Sequence, residues 1–496
     1  MGKRILIHVI LPVKLAWEPT YVTDDESVRV GTRVRVKLAG KELSGVVSET
    51  GVKLEISIDK VHPIVCVEKD LDPVTDNEIR FWRFLSGYYM CSIGEVFKAA
   101  YPLNRVETEK KKARKTIAYT PKERNTTINE CILDDHSLLH CPDAEKESEI
   151  LSSNIRETLQ EQKGHVLFLV PDKFRFKDWE KRLSAEFSDR LLTYSHEVSP
   201  ATKREIARSV RGNSFKVILG LRSAIFLPFS SLSLVIVSDE HDASYKQSRP
   251  APRYNGRDAA IVLAKQFGAK VILSSATPSL ESLHNCSIGK FTLTEIPCSK
   301  APVTIIDTSA EKRKNGMDGE VSKLALSMMA QAEAQGRKVI TVCPADINKA
   351  KFSPDCLTVF NMADIMLKKN DFRADERALQ TIDYLRYNCS ELVIHTTLGT
   401  HPVFSMEGPS TLLDERRQFN LPPFGRMIRI GVRCANAVRQ ASLEESLAAA
   451  LGGSLDIILP SDSSIKQSKE DILKKIRQFE KQAGRGASVT IDVDPV

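Results

Sequence analysis

Four consecutive polar residues, Ser238-Asp239-Glu240-His241, follow directly on the apolar run Leu234-Val235-Ile236-Val237. Continuous rather than alternating hydrophobicity fits a parallel strand covered on both faces. In open α/β sheets ligands bind at the carboxyl ends of such strands, and in nucleotide-driven motors one acid there holds magnesium while another positions the attacking water. Strand-end acids are also often no more than solvated caps. A metal cluster of Asp239, His241 and Asp242 is a weaker reading, because neighbouring side chains on a turn diverge. No G-x-S-x-G elbow and no HExxH spacing is present among the ten histidines.

The elements around this strand alternate as a doubly wound lobe would. Apolar strands fall at 166–170, 217–219, 234–237 and 271–273, with helices over 145–161, 173–188, 200–210 and 257–267. A shorter α/β unit follows, with a helix near 321–335 and strands at 338–342, 358–360 and 391–395. Ahead of both, Ile5, Ile7, Val9 and Leu11 alternate, and 28–38 with 43–47 reads as a hairpin through Gly40. Thr75 with Glu78 forms a capping box for a helix rich in aromatics, Phe81, Trp82, Phe84, Tyr88 and Tyr89, whose expected role is core packing.

A chain of 496 residues with 42% apolar composition supports several ordinary domains. No apolar run approaches the length needed to span a bilayer, so a cytoplasmic protein without membrane partners is expected. Ten cysteines occur without any CxxC pair, which argues against a disulfide framework and against zinc. The net charge is +7 overall, yet residues 101–125 alone hold eight basic and three acidic residues. That segment, with Lys110, Lys111 and Lys112 at its centre, reads as a flexible tether or as one that also rides on phosphates.

Several segments in order resemble the replication-restart DNA helicases of superfamily two, the PriA or primosomal protein N′ family. They are Leu219-Gly220-Leu221-Arg222-Ser223-Ala224, the acid box with Ser244-Tyr245-Lys246-Gln247, Pro252-Arg253-Tyr254, Ser275-Ala276-Thr277-Pro278-Ser279, Asp371-Phe372-Arg373 with Glu376-Arg377, Leu421-Pro422-Pro423-Phe424 and the closing Asp492-Val493-Asp494-Pro495. The resemblance implies a multidomain α/β protein: a β-rich N-terminal 3′-DNA-end-binding-like domain over 1–101, a basic linker over 102–137, a RecA-like helicase lobe over 138–300, a reduced second lobe over 301–402 and a small C-terminal domain over 403–496. The linker leaves no room for the winged-helix domain usual in the family, and the second lobe lacks the family's zinc-binding cysteine pairs. In that family an aromatic-acid pair helps line the 3′-end pocket. Trp17-Glu18 stands at the corresponding place, with Lys41 beside Gly40 as a partner from the hairpin. Phosphate contacts are expected from Arg222, Lys246 and Arg253.

The family's phosphate loop, G-x-x-x-x-G-K-[ST], aligns by position and flanks with Cys141-Pro142-Asp143-Ala144-Glu145-Lys146-Glu147-Ser148. Cys141 and Lys146 hold the glycine places, where a side chain collides with phosphate. Glu147 replaces the lysine that neutralises the terminal phosphates. Ser238 replaces the magnesium acid, Asp239 shortens the catalytic glutamate, and Arg386 is the one arginine left near the family's arginine-finger repeat. A PriA-like restart protein that binds forked and single-stranded DNA and 3′ ends without a motor is therefore expected, with no cofactor and with primosome or replication proteins as partners. The alternative is an ATP- and magnesium-dependent 3′-to-5′ helicase working through a divergent site. A decaying paralogue without retained function is a third reading.

Overall fold

Alternating burial of Ile7 and Val9 against Val34, Val36 and Val47 turns the first residues of the chain into the centre of a small antiparallel sheet. In a computed structural model, which describes residues 4–53, 61–101, 131–195, 197–361, 364–367, 371–405, 408–484 and 486–496, this sheet comprises β1 (Ile5–Ile10), β2 (Thr20–Thr23), β3 (Arg33–Leu38), β4 (Lys41–Thr50) and β5 (Cys66–Val67) in the order β2-β1-β4-β3-β5. The β3–β4 hairpin turns through Ala39 and Gly40, with φ of 48° and 79°. Two positive φ values in succession match the twist of the flanking strands. The strand expected from Val28 begins only at Arg33, because Gly31 at φ 87° bends the chain against the Val74 backbone.

Helix α1 (Asp76–Tyr88) starts at the expected capping box, in which the Thr75 hydroxyl accepts from Glu78 N–H and the Glu78 carboxylate accepts from Thr75 N–H. A second box, Ser92 with Glu95, starts α2 (Ile93–Ala100). Phe81, Trp82, Leu85 and Tyr89 are buried, so most of the aromatic face is core, as expected.

The central lobe is a seven-stranded parallel sheet covered by helices: β6 (His136–His140), α3 (Ala144–Glu161), β7 (His165–Leu169), α4 (Lys173–Phe187), β8 (Leu191–Tyr194), α5 (Pro200–Arg211), β9 (Val217–Gly220), β10 (Leu232–Ser238), α6 (Gly256–Phe267), β11 (Lys270–Ser275), α7 (Leu280–Ser287) and β12 (Thr292–Glu295). Its order is β12-β6-β11-β10-β7-β9-β8, with β10 in the middle and fully buried from Leu234 to Val237. Residues 131–135 pack on this lobe: Leu133 N–H donates to Asn154 Oδ1 at 3.0 Å, and Asn154 Nδ2 donates to the Cys131 carbonyl. Lys110, Lys111 and Lys112 lie outside the described residues.

The second lobe holds β13 (Val303–Asp307), α8 (Thr308–Lys314), the small ladder of β14 (Met317–Asp318) and β15 (Val321–Ser322), α9 (Lys323–Ala334), β16 (Val339–Val342), β17 (Leu357–Phe360), α10 (Asp364–Leu367), α11 (Ala374–Tyr387) and β18 (Glu391–Thr396). Its main sheet has only four parallel strands, β13-β18-β17-β16. The last unit is α12 (Ser410–Gln418), β19 (Gly425–Cys434), α13 (Ala437–Leu451), β20 (Asp456–Pro460), α14 (Ile465–Ala483) and β21 (Ala487–Val493), with antiparallel order β20-β19-β21. One buried apolar cluster runs from Phe81 and Trp82 through Phe226 and Leu263 to Ile430 and Phe479, so the first domain, the central lobe and the last domain share a core. Among the described residues no helix is long and apolar enough to cross a membrane.

Candidate functional site

The carboxyl end of β10 and the loop after β6 lie two strands apart and meet across the top of β11. Helix α3 begins at Asp143, whose carboxylate accepts from Glu145 N–H at 3.0 Å and Lys146 N–H at 3.1 Å. A helix N-terminus is the natural seat of a phosphate, and here the chain's own carboxylate fills it. Lys146 turns outward, 3.9 Å from Asp143, and Ser148 is half-buried. Glu147 turns inward and accepts from the Ser274 hydroxyl at 2.6 Å. Burial and then the nearby Asp239 carboxylate push its pKa up from 4.5 to about 7.

The acid box is fully engaged within the protein. Ser238 is buried, and its hydroxyl accepts from Trp179 Nε1 at 3.2 Å. Asp239 adopts a left-handed φ of 48° and pairs with Arg175 of α4, Nε to Oδ2 at 2.9 Å. Tyr384 of the second lobe lies in the field of both members of that pair, although burial is the main cause raising its pKa. Glu240 accepts from Arg257 at 2.8 Å, from Ser279 N–H at 2.6 Å and from the hydroxyls of Ser279 and Ser282. His241 Nδ1 lies 2.7 Å from Ser275 Oγ, while Asp242 caps the turn at Ala243–Tyr245. The three residues of the metal reading thus have three separate partners, and among the described residues no group of three His, Cys, Asp or Glu converges.

The residues present do not suit a magnesium–nucleotide complex. Terminal phosphates would meet Glu147 and the capping Asp143 where a cation is needed, and Ser238 offers magnesium no carboxylate. Arg386 is spent elsewhere: its Nε donates to the Ala301 carbonyl at 2.9 Å and its guanidinium lies 3.7 Å from Asp383. Arg175, the partner of Asp239, is not singled out by the sequence. No motif marks it, and the charge pattern of α4 alone does not show that it reaches across to β10.

The two lobes meet through charge. Arg373 binds Glu281 at 2.7 Å and Glu376 at 3.4 Å, and Arg416 binds Glu376 at 2.6 Å. Leu280 N–H donates to Glu376, and Gln380 donates to the carbonyls of Thr277 and Pro278. The paired arginines hold the Glu281 carboxyl down at about 2 against the opposing effect of burial. Beside this network lies a small cleft of about 60 Å³ lined by Arg257, Arg373, Arg377, Arg426 and Asp494.

The expected DNA contacts separate into free and engaged side chains. Trp17 is 67% exposed, while Glu18 is held by Arg83, at 2.7 and 3.2 Å, and by the Ser48 hydroxyl. Lys41 is exposed at the hairpin, and the polar partners of Glu18 are Arg83 and Ser48. Arg222 donates to the Ser244 carbonyl at 2.7 Å. Lys246 is buried, pairs with Asp492 at 2.9 Å, donates to the Val493 carbonyl and lies over the Tyr89 ring. It therefore clamps the last strand instead of facing solvent. Arg253 reaches the same Asp492 at 3.9 Å.

Residues 8–102 match the family described as the 3′DNA-binding domain (3′BD) of PriA. The replication restart protein PriA of Rickettsia conorii is 30% identical over 323 residues, covering 62% of this chain and 49% of that protein. That of Helicobacter pylori strain J99 is 31% identical over 279 residues, covering 55% and 43%. The chain thus spans about half the length of these relatives. Among solved structures, RecG bound to a three-way DNA junction aligns with a TM-score of 0.30 at 15% identity, over 66% of this chain and 37% of that one. The DUF1998 helicase MrfA bound to DNA aligns with a TM-score of 0.37 at 11% identity, over 55% and 50%. The chain is PriA-like, similar to replication restart protein PriA at about 30% identity and carrying a 3′ DNA-binding domain at its N-terminal end.

Proposed function

We propose that the chain is a replication-restart factor of the PriA type that binds forked and single-stranded DNA, engages 3′ ends through its first domain and works without hydrolysing ATP. The observation that carries the motorless part is the closed circuit at the nucleotide site: Asp143 caps its own helix, Glu147 binds Ser274 and Asp239 binds Arg175. Each group that would handle phosphate or magnesium is absent or occupied. The match of residues 8–102 supports the DNA-binding part. On this reading neither ATP, magnesium nor zinc is a cofactor, the protein acts in the cytoplasm, and replication proteins are its protein partners.

The exposed Trp17 ring offers a face on which a terminal base stacks. Its neighbour Glu18 accepts from a sugar hydroxyl, although Arg83 neutralises part of its charge. A fork ending in a 3′-hydroxyl should bind severalfold more tightly than one ending in a 3′-phosphate, with the same affinity whether or not magnesium-ATP is present. Equal affinity for both ends, or a preference unchanged in Trp17→Ala, would remove the 3′-end role.

A further inference from the structure

Helix α11 turns one face away from its own lobe. Ile382 and Leu385 belong to the core of the second lobe. Glu376, Gln380 and Tyr387 follow one another at intervals of four and seven residues, which places them in a single stripe along the helix. That stripe lies against the carboxyl end of the central sheet. Glu376 accepts from Leu280 N–H at 2.9 Å, and Gln380 donates to the carbonyls of Thr277 and Pro278, just after β11, at 3.3 and 3.4 Å. Farther along, the Tyr387 ring meets the His140 ring at the end of β6, with centroids 6.3 Å apart and planes at 74°. Strands β11 and β6 are neighbours, so one helix face spans the ends of both. In open α/β sheets that end is where ligands bind. Here a helix of the same chain is seated on it.

The contact is closed to water at its centre. Leu280 is 1% exposed and Glu376 5%, and Leu280 shares an apolar cluster with Ala378 and Leu379 of α11. The first N–H groups of a helix have no acceptor within it, so the buried Leu280 N–H, at the start of α7, takes its acceptor from the other lobe. Arg373, at the start of α11, adds the ion pair with Glu281 on the next residue of α7. We propose that α11 is a built-in latch that keeps the second lobe seated on the carboxyl end of the central sheet, so that the two lobes do not open and close as those of a nucleotide-driven motor do. This rests on the reading of the chain as motorless and adds to it the device that holds the lobes together.

The test is hydrogen exchange at the Leu280 amide of the full chain, because no partner within α7 protects that group. In the wild type, exchange should be on the order of a thousandfold slower than at a free amide and should not change on addition of magnesium-ATP. Gln380→Leu removes two hydrogen bonds to the central lobe while keeping the bulk of the side chain, and should speed exchange at Leu280 by about tenfold. Exchange in β17 and β18, inside the second lobe, should stay at the wild-type rate and so show that the variant is folded. Tyr387→Leu, which removes the ring that meets His140, gives a second reading, with a gain of about threefold. A wild-type Leu280 amide that exchanges as a free one, or a rate unchanged in both variants, overturns the latch and leaves the motorless reading intact. Protection that arises only when magnesium-ATP is added overturns both.

Discussion

Glu147 is the residue on which the proposed loss of nucleotide chemistry turns most directly. Its carboxyl is raised to about 7, chiefly by burial, with Asp239 second. Between 4.5 and about 7 the folded protein keeps a proton that the unfolded chain has released. Stability contributed by this group is therefore full below 4.5 and is lost as pH rises through 7. Glu147→Gln should flatten that part of the stability profile, measured by denaturant unfolding at pH 5 and pH 8, and raise stability at pH 8. An identical pH dependence in the variant would place the Glu147 carboxylate in water. Arg175 is the counterpart: Arg175→Ala leaves Asp239 without its paired cation and should destabilise by about 1–3 kcal/mol, whereas Arg175→Ala/Asp239→Ala should lose less than the sum of the two single changes. Strict additivity in that cycle would dissolve the pair.

At the scale of elements, the sequence pattern carried far. The unbroken run before Ser238 identified the central buried strand, and the Thr75–Glu78 box marked the start of α1 within a residue. Helices α3 to α6 were readable from their apolar periodicity because each covers a sheet with one face. The short strands β8, β12 and β13 were not, since four or five residues with mixed polarity hold no period of their own and are defined by the neighbours they join. Long-range pairing was equally hidden. Glu18 and Arg83 are 65 positions apart, and only the packing of α1 against the first sheet brings them together. That pair has a functional consequence: Arg83→Ala should free the Glu18 charge and widen the preference for a 3′-hydroxyl over a 3′-phosphate, read by fork binding. A narrower preference would mean that Arg83 itself holds the end.

Across the whole molecule, the closing segment Asp492–Pro495 acts as a clasp. The Tyr88 hydroxyl donates to Asp494 at 2.7 Å, Lys246 pairs with Asp492 and Arg373 Nε donates to the Pro495 carbonyl at 3.1 Å, so three other units hold the end of one strand. Together with the Glu281–Arg373–Glu376–Arg416 network, these contacts tie the two lobes to each other and to the last domain. Arg373→Ala leaves two buried acids with one cation between them and should destabilise by about 3 kcal/mol, with faster hydrogen exchange in α7 and α11. Unchanged exchange in both helices would show that apolar contacts alone hold the lobes.

The reading of the nucleotide site is tested most directly by DNA-stimulated phosphate release from the purified chain in magnesium-ATP. No release above the background of an Asp239→Asn variant is expected, with or without fork DNA, and Glu147→Lys alone should not restore it, because Ser238 still offers magnesium no carboxylate. Turnover in the ordinary enzymatic range of about 1–10³ per second, abolished by Asp239→Asn, would contradict the motorless account.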